Sequence, residues 1–288
     1  MKVHLVDGTY ELFRAYYGAP SSSSPEGMEV GAARGLLRTL WSLLRQRDVT
    51  HVACAFDTVI ESFRNELYVG YKTGEGIDPE LLGQFHLAER AARALGIVVW
   101  SMIEFEADDA LATAAAKWKD TPAVEQIVIC SPDKDLAQCV EGKRVVTWDR
   151  RQKIIRGEQE VIEKFGVAPQ SIPDWLALVG DSADGIPGVP GWGKKSSSLL
   201  LYRYAHLEDI PEDSGKWDVD VTRASHIAST LKEYRTEAEL YRQLTTLRTD
   251  VPIIEDLEDL KWNGPRRDEL ESLCKEIGDK NLMGAVTG

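Results

Sequence analysis

The chain has 288 residues, 43% of them apolar, and a formal net charge of −13. That length and apolar share support one large domain or two modest ones with a real core. The acidic balance speaks against broad, non-specific nucleic-acid binding, which draws on basic residues that displace counterions.

In chain order, strand-like runs are expected at Val3–Val6, His51–Phe56, Ile97–Trp100 and Gln126–Cys130. Helical patterns lie among them at Gly35–Arg45, Leu81–Leu95 and Ala107–Lys117. This alternation predicts an α/β fold with a mostly parallel central sheet flanked by helices. Residues 20–24 are low in complexity and read as a solvent loop, and no internal repeat is evident. Beyond about Ala168 the character changes to helices and tight turns around GDSADGIPGVPGWGKKSS. A boundary near Gly166 therefore divides the chain into 1–166 and 167–288. The four cysteines, Cys54, Cys130, Cys139 and Cys274, show no CxxC spacing and read as reduced thiols of a cytoplasmic protein. The longest nearly unbroken apolar stretch, 94–103, is far short of a membrane span.

Nine acids fall in five short clusters: Asp7, Asp57, Glu106 with Asp108 and Asp109, Asp133 with Asp135, and Asp181 with Asp184. Asp7, Asp57 and Asp133 follow the first, second and fourth strand-like runs, at the sheet edge where parallel α/β folds bind ligands. Each cluster alone is explained by helix capping or turn formation. Together, so many carboxylates would repel one another unless cations lay between them, which is what a divalent-metal site for phosphate chemistry requires. An EF-hand is not the match, because neither DKDLAQ nor DSADGI alternates oxygen ligands before a glycine at the sixth place. Basic residues also cluster, at Arg144, Arg151, Lys153 and Arg156 and at Lys194 and Lys195, and local potential is what a ligand feels.

The strings LVDGTYELFRAYYG, AFD, FRNELYVGYK, EFEADDALA, ICSPDKDLAQ and GDSADGIPGVPGWGKKS, in this order, closely resemble the structure-specific 5′-nucleases. These are the flap endonucleases and the 5′-3′ exonuclease domain at the front of bacterial DNA polymerase I. The resemblance runs over about residues 1–250, and no polymerase domain follows, as in a free-standing member. It implies a PIN-like sheet domain over 1–166 with an arch at about 64–90, and a helix-hairpin-helix element within 167–288.

The resemblance further implies a monomeric enzyme that hydrolyses phosphodiester bonds of DNA at 5′ ends, flaps, nicks and gaps, in replication or repair, with RNA primers a further substrate. Two Mg²⁺ or Mn²⁺ ions would serve it, Asp7, Asp57, Glu106, Asp108 and Asp109 mainly holding one, and Asp133, Asp135, Asp181 and Asp184 the other. Lys72 matches a lysine that approaches the scissile phosphate, and Arg64 matches another recurring basic residue, so both are catalytic candidates. Gly188, Gly191 and Gly193 would admit a DNA phosphate close to the backbone, with Lys194, Lys195 and Ser196 at the following helix N-terminus; K⁺ is the monovalent ion implied there.

The chain departs from the pattern after Lys72, where Glu75 stands in place of a family arginine and Asp78 and Glu80 add further acid. A carboxylate facing a phosphodiester is repulsive, so a second reading is a same-fold metal- and nucleic-acid-binding protein with weakened catalysis. A small PIN-fold ribonuclease fits less well, because such proteins are usually shorter and lack the hairpin element. Tyr17 or Tyr71 could stack on a base, although core packing is the commoner role of aromatic residues. Trp192 could face DNA or the sheet.

Overall fold

A computed structural model describes residues 1–18 and 20–287. In chain order it contains β1 (Lys2–Asp7), α1 (Gly8–Gly18), α2 (Gly31–Leu44), β2 (His51–Asp57), α3 (Phe63–Leu67), α4 (Pro79–Leu82), α5 (Phe85–Ala94), β3 (Val98–Met102), α6 (Ala107–Trp118) and β4 (Gln126–Cys130). There follow β5 (Val145–Asp149), β6 (Ile154–Arg156), α7 (Glu158–Phe165), α8 (Ile172–Val179), α9 (Lys194–Tyr204), α10 (Ala224–Glu233), α11 (Arg235–Thr245), α12 (Arg267–Ile277) and α13 (Lys280–Thr287). No helix among the described residues is long and apolar enough to cross a membrane.

Residues 1–60, 74–131 and 249–288 form one compact unit. Its strands pair in the order β3-β2-β1-β4, all parallel. Val3 to Asp7 are all buried in β1, as a parallel strand covered on both faces requires. Asp7 pairs with Ala55, Val6 with Cys130, and Asp57 with Met102, so the carboxyl ends of all four strands share one edge. At that edge Gly8 turns the chain from β1 into α1. A Cβ there would lie 2.5 Å from the Phe56 ring and 2.7 Å from Cys54 Sγ, so no side chain fits. In α2, Leu36, Leu37, Leu40, Leu43 and Leu44 are buried at helical spacing. Helix α12 packs on α5, where Glu276 pairs with Arg90 at 2.6 Å. Compactness therefore places 249–288 with the parallel sheet, whereas chain order groups it with 167–248.

The second unit comprises residues 61–73 and 132–248. Its β5 and β6 form an antiparallel hairpin, with Thr147 opposite Arg156 and Asp149 opposite Ile154. Helices α8 and α11 pack together over a core that includes Trp175, Leu178, Leu200, Leu201 and Leu244. Trp192 belongs to this core, 6% exposed, with Nε1–H donating to Ile227 O at 3.1 Å, so it faces neither DNA nor the parallel sheet. Tyr71 is also core, 4% exposed, which removes it as a base-stacking platform, while Tyr17 is 74% exposed.

Candidate metal centre and nucleic-acid interface

In the first unit the five acids stand where the elements end. Asp7 closes β1 and is buried; one carboxylate oxygen accepts from Tyr10 N–H at 2.8 Å and the other from Ser131 Oγ at 2.8 Å. Asp57 closes β2, and its Oδ1 accepts from Ala107 N–H at 2.7 Å, tying the strand end to the first turn of α6. Glu106 caps α6, and its N–H donates to Asp109 Oδ2 at 3.0 Å; Asp109 is fully buried, and Asp108 is half-buried. Capping and orientation are thus the same contacts: the helix dipole favours acids in this turn, and the N–H bonds fix where their remaining oxygens lie.

In the second unit, Asp135, Asp181 and Asp184 bring carboxylate oxygens within 4.8 Å of one another. Asp133, exposed and next but one to Asp135 in sequence, accepts the Asp135 N–H through its Oδ1 at 2.9 Å. Asp135 is 7% exposed, and its Oδ1 is buried without a hydrogen-bond partner. Burial, reinforced by the charges of Asp133, Asp184 and Asp181 and opposed by Lys134, holds the Asp135 carboxyl well above the usual carboxylate range. An orphaned buried oxygen among convergent carboxylates is costly as it stands, and hard oxygen donors of this kind fit a divalent cation. The donor set therefore fits a metal ion.

Two lysines reach the same trio. Lys134 Nζ lies 2.7 Å from Asp181 Oδ1, and Lys72 Nζ 3.0 Å from Asp184 Oδ1. Burial lowers the Lys134 pKa, but the hydrogen bond and charge of Asp181, with Asp135 and Asp133, outweigh it and leave the ammonium favoured. The backbone fixes Lys72 as well, its N–H donating to Asp184 O at 3.1 Å.

Arg64, expected to act beside Lys72, is instead 1% exposed, with Nε–H donating to Leu244 O at 2.7 Å. A second N–H meets Thr246 O at 3.3 Å. An arginine so held at the carbonyl end of α11 braces the 61–73 segment and compensates the helix dipole. Its neighbour Asn65 donates to Lys72 O at 2.9 Å, so the brace extends toward the catalytic candidate. Nothing in the sequence string distinguishes such an arginine from one that faces substrate.

The glycine-rich turn separates into internal and open positions. Asp181 and Ile186 exchange backbone hydrogen bonds of 2.7 and 2.8 Å around the tight loop that carries Asp184. Gly185 sits at φ +74°, where a Cβ would come 2.1 Å from Gly70 O. Gly188, expected to let a phosphate approach, is buried at φ +75°, and its Cβ would meet Gly180 N at 2.6 Å. Its glycine is required by packing against the end of α8. Gly193 is exposed with open space around it; it caps α9, where Lys194 and Lys195 are exposed and Ser196 Oγ accepts the Gly193 N–H at 3.2 Å. Gly191 is exposed at φ +81°, facing His226.

Two family models cover nearly the whole chain. Residues 2–166 match the 5′-3′ exonuclease N-terminal resolvase-like domain, and residues 167–268 match the 5′-3′ exonuclease C-terminal SAM fold. The chain belongs to the 5′-3′ exonuclease family. A 5′-3′ exonuclease of Aquifex aeolicus is 31% identical over 285 residues, covering 99% of this chain and 94% of that protein. DNA polymerase I of Rhizobium leguminosarum is 38% identical over 274 residues, 91% of this chain and 26% of that protein. The polymerase of Bacillus caldotenax is 31% identical over 288 residues, 98% and 32% respectively. The chain thus spans about a third or less of the length of these polymerase relatives.

Among solved structures, T5 5′-exonuclease with bound zinc superposes with a TM-score of 0.69 at 18% identity, covering 97% of this chain and 99% of that one. The catalytic core of Rad2 in complex with DNA substrate superposes at 0.64 and 16%, covering 99% and 90%. These likenesses establish for this exonuclease-family chain a mixed α/β fold with a mostly parallel sheet and a helical C-terminal domain.

Proposed function

We propose that this chain is a divalent-metal-dependent 5′-nuclease that hydrolyses DNA phosphodiesters near 5′ ends, flaps and nicks in replication or repair, with RNA primers as a further substrate. Residues 1–166 form its catalytic part, with the arch at about 64–90, and 167–288 its DNA-binding part. The observation that carries this reading is the trio Asp135, Asp181 and Asp184, with its partnerless buried oxygen, in a chain of the 5′-3′ exonuclease family.

Asp133, Asp135, Asp181 and Asp184 would hold one Mg²⁺ or Mn²⁺, and Asp7, Asp57, Glu106, Asp108 and Asp109 a second. Bound there, such ions supply an activated water and charge neutralisation for in-line displacement at phosphorus. The remaining work falls to the chain. The N–H bonds to Asp7, Asp57, Asp109 and Asp133 keep their carboxylates aimed without conformational search. Lys72 places a cation beside Asp184, where it offsets charge building on the phosphoryl oxygens. Gly191, Gly193, Lys194, Lys195 and Ser196 hold the duplex backbone at the N-terminus of α9, with K⁺ as the monovalent ion of that turn. The enzyme acts as a monomer.

A panel of 5′-labelled flap, nicked duplex and single-stranded DNA, each with Mg²⁺, Mn²⁺ or EDTA, tests the proposal. Cleavage confined to the metal lanes and to substrates with a 5′ end supports it. Tight DNA binding without cleavage in any lane would instead favour a binding protein whose acidic arch, with Glu75, has weakened catalysis.

A further inference from the structure

The second unit contains a pocket of about 430 Å³ between the end of α7, the side of α8 and the first turns of α9. Its lining includes Lys164, Lys194, Lys195, Phe165, Trp175 and Ser198. The floor is fixed and already satisfied: Ser198 Oγ donates to Phe165 O at 2.6 Å and accepts the Trp175 Nε1–H at 3.0 Å. Gly166, at φ +73°, closes α7 so tightly that a Cβ would lie 2.9 Å from Ser198 Cβ.

The rim is cationic. Lys164 Nζ stands 4.6 Å from the centre of the Phe165 ring. Its pKa is lowered, first by burial and then by the charge of Arg156 on β6, against the pull of Asp133 and Asp149 and with Lys134 adding to the fall. Among the described residues, Arg156, Lys164, Lys194 and Lys195 make no ion pair, although the chain carries 47 acidic against 34 basic residues. Like charges gathered on one rim with no ion pair of their own do not stabilise a fold, and an anion would offset them.

We infer that this pocket is a backbone-phosphate site, which seats one phosphodiester of the bound DNA between Lys164 and the Lys194–Lys195 pair, with Arg156 adding to the field. The inference rests on the nuclease reading and extends the DNA contact beyond the glycine-rich turn to α7 and the β5–β6 hairpin. Lys164 is a binding residue in this scheme and takes no part in the chemical step. Phosphate contacts of this kind position a duplex without reading its sequence.

The test is fluorescence anisotropy with a labelled nicked duplex in EDTA, over a salt series, for the parent, Lys164→Gln and Lys164→Arg. Loss of one phosphate contact reduces the slope of log K against log salt by about 0.9 and weakens binding roughly 3- to 10-fold at moderate salt. Lys164→Gln should show both changes, Lys164→Arg should restore them, and the melting temperature of Lys164→Gln should stay level or rise as like-charge crowding is relieved. An unchanged slope in Lys164→Gln overturns the site, as does a slope change accompanied by a fall in melting temperature that arginine does not repair. Inorganic phosphate alone is the second probe: if it raises the parent's melting temperature through Lys164 while the DNA slope is unaffected, the pocket takes free phosphate and the DNA assignment is wrong. A parent protein that binds no DNA contradicts the nuclease reading itself, an outcome separate from any difference between variants.

Discussion

Lys134 Nζ lies 2.7 Å from Asp181 Oδ1, so the cation between Asp133 and Asp135 in sequence is an ion-pair partner of the buried carboxylate that faces them. With Lys72 on Asp184, two of the three clustered carboxylates each carry a lysine. Removing one partner of such a pair leaves a charge without compensation, which costs more than the pair itself contributes. Lys134→Met should therefore lower the melting temperature in EDTA by roughly 4–8 °C, corresponding to about 2 kcal/mol for a half-exposed lysine. Mg²⁺ should restore more stability to the variant than to the parent. Equal melting curves for the two proteins in EDTA, by differential scanning calorimetry, would show that the pair contributes nothing.

Lys72 is expected to matter for rate more than for fold. Its side chain is 32% exposed, so its pairing with Asp184 is screened by solvent and contributes little to stability. Lys72→Ala should cut single-turnover cleavage of a flap substrate about 100-fold, the scale of losing one group that stabilises transition-state charge. Substrate affinity in EDTA should change far less. If the single-turnover rate is unaffected, Lys72 is only a surface partner of Asp184.

Gly185 offers a test of how Asp184 is placed. Its φ of +74° and the 2.1 Å approach of an added Cβ to Gly70 O forbid a side chain without moving backbone. Gly185→Ala should cost more than about 2 kcal/mol in urea unfolding. A change below about 0.5 kcal/mol would mean that the Asp181–Ile186 turn yields easily.

His51 sets a pH dependence in the first unit. It is 5% exposed, its Nε2 has no hydrogen-bond partner, and its Nδ1 lies 2.9 Å from Thr50 Oγ1. Burial lowers its pKa below the usual 6.5, against the pull of Glu258 and with Lys261 and the amino terminus adding to the fall. The unfolded chain thus takes up a proton that the folded chain refuses. The stability contributed is complete above about pH 6.5 and is lost as pH falls through the folded pKa. The stability difference between the parent and His51→Gln should accordingly shrink from pH 7.5 to pH 5.5; a constant difference would show that His51 charges freely in the fold.

Strands β1, β2 and β4 are legible because they are almost wholly buried and read as largely apolar runs, while β3 at the sheet edge is half-buried but still apolar; all four lie within a residue or two of the expected spans. The β5–β6 hairpin was not, since β6 is only three residues long and Ile154 and Ile155 are exposed, which leaves no alternation to detect. The pattern at 81–95 read as one helix, but the chain breaks it at Gly83 and Gln84 into α4 and α5. Asp135, Asp181 and Asp184 stand out in the sequence because they recur with the other acids in five short clusters and lie in the strings DKDLAQ and GDSADG that carry the family resemblance. The burial of Arg64 and Gly188 is not legible in the sequence: an arginine held on carbonyls and a glycine pressed against α8 carry no mark in a string of letters. Lys134 carries no signal in the sequence, where a lysine between two aspartates is ordinary local pairing; only the fold turns it toward Asp181.

The most direct measurement is the single-turnover cleavage of a 5′-labelled flap by the parent and by Asp135→Asn, in Mg²⁺ and in EDTA. The buried, partnerless oxygen of Asp135 makes it the carboxylate whose charge the ion most needs. Cleavage by the parent in Mg²⁺ alone, lowered at least about 100-fold in Asp135→Asn while that variant still melts cooperatively, is the result expected. Parental activity in EDTA, or an Asp135→Asn protein as fast as the parent in Mg²⁺, would contradict a metal-dependent nuclease centred on this cluster.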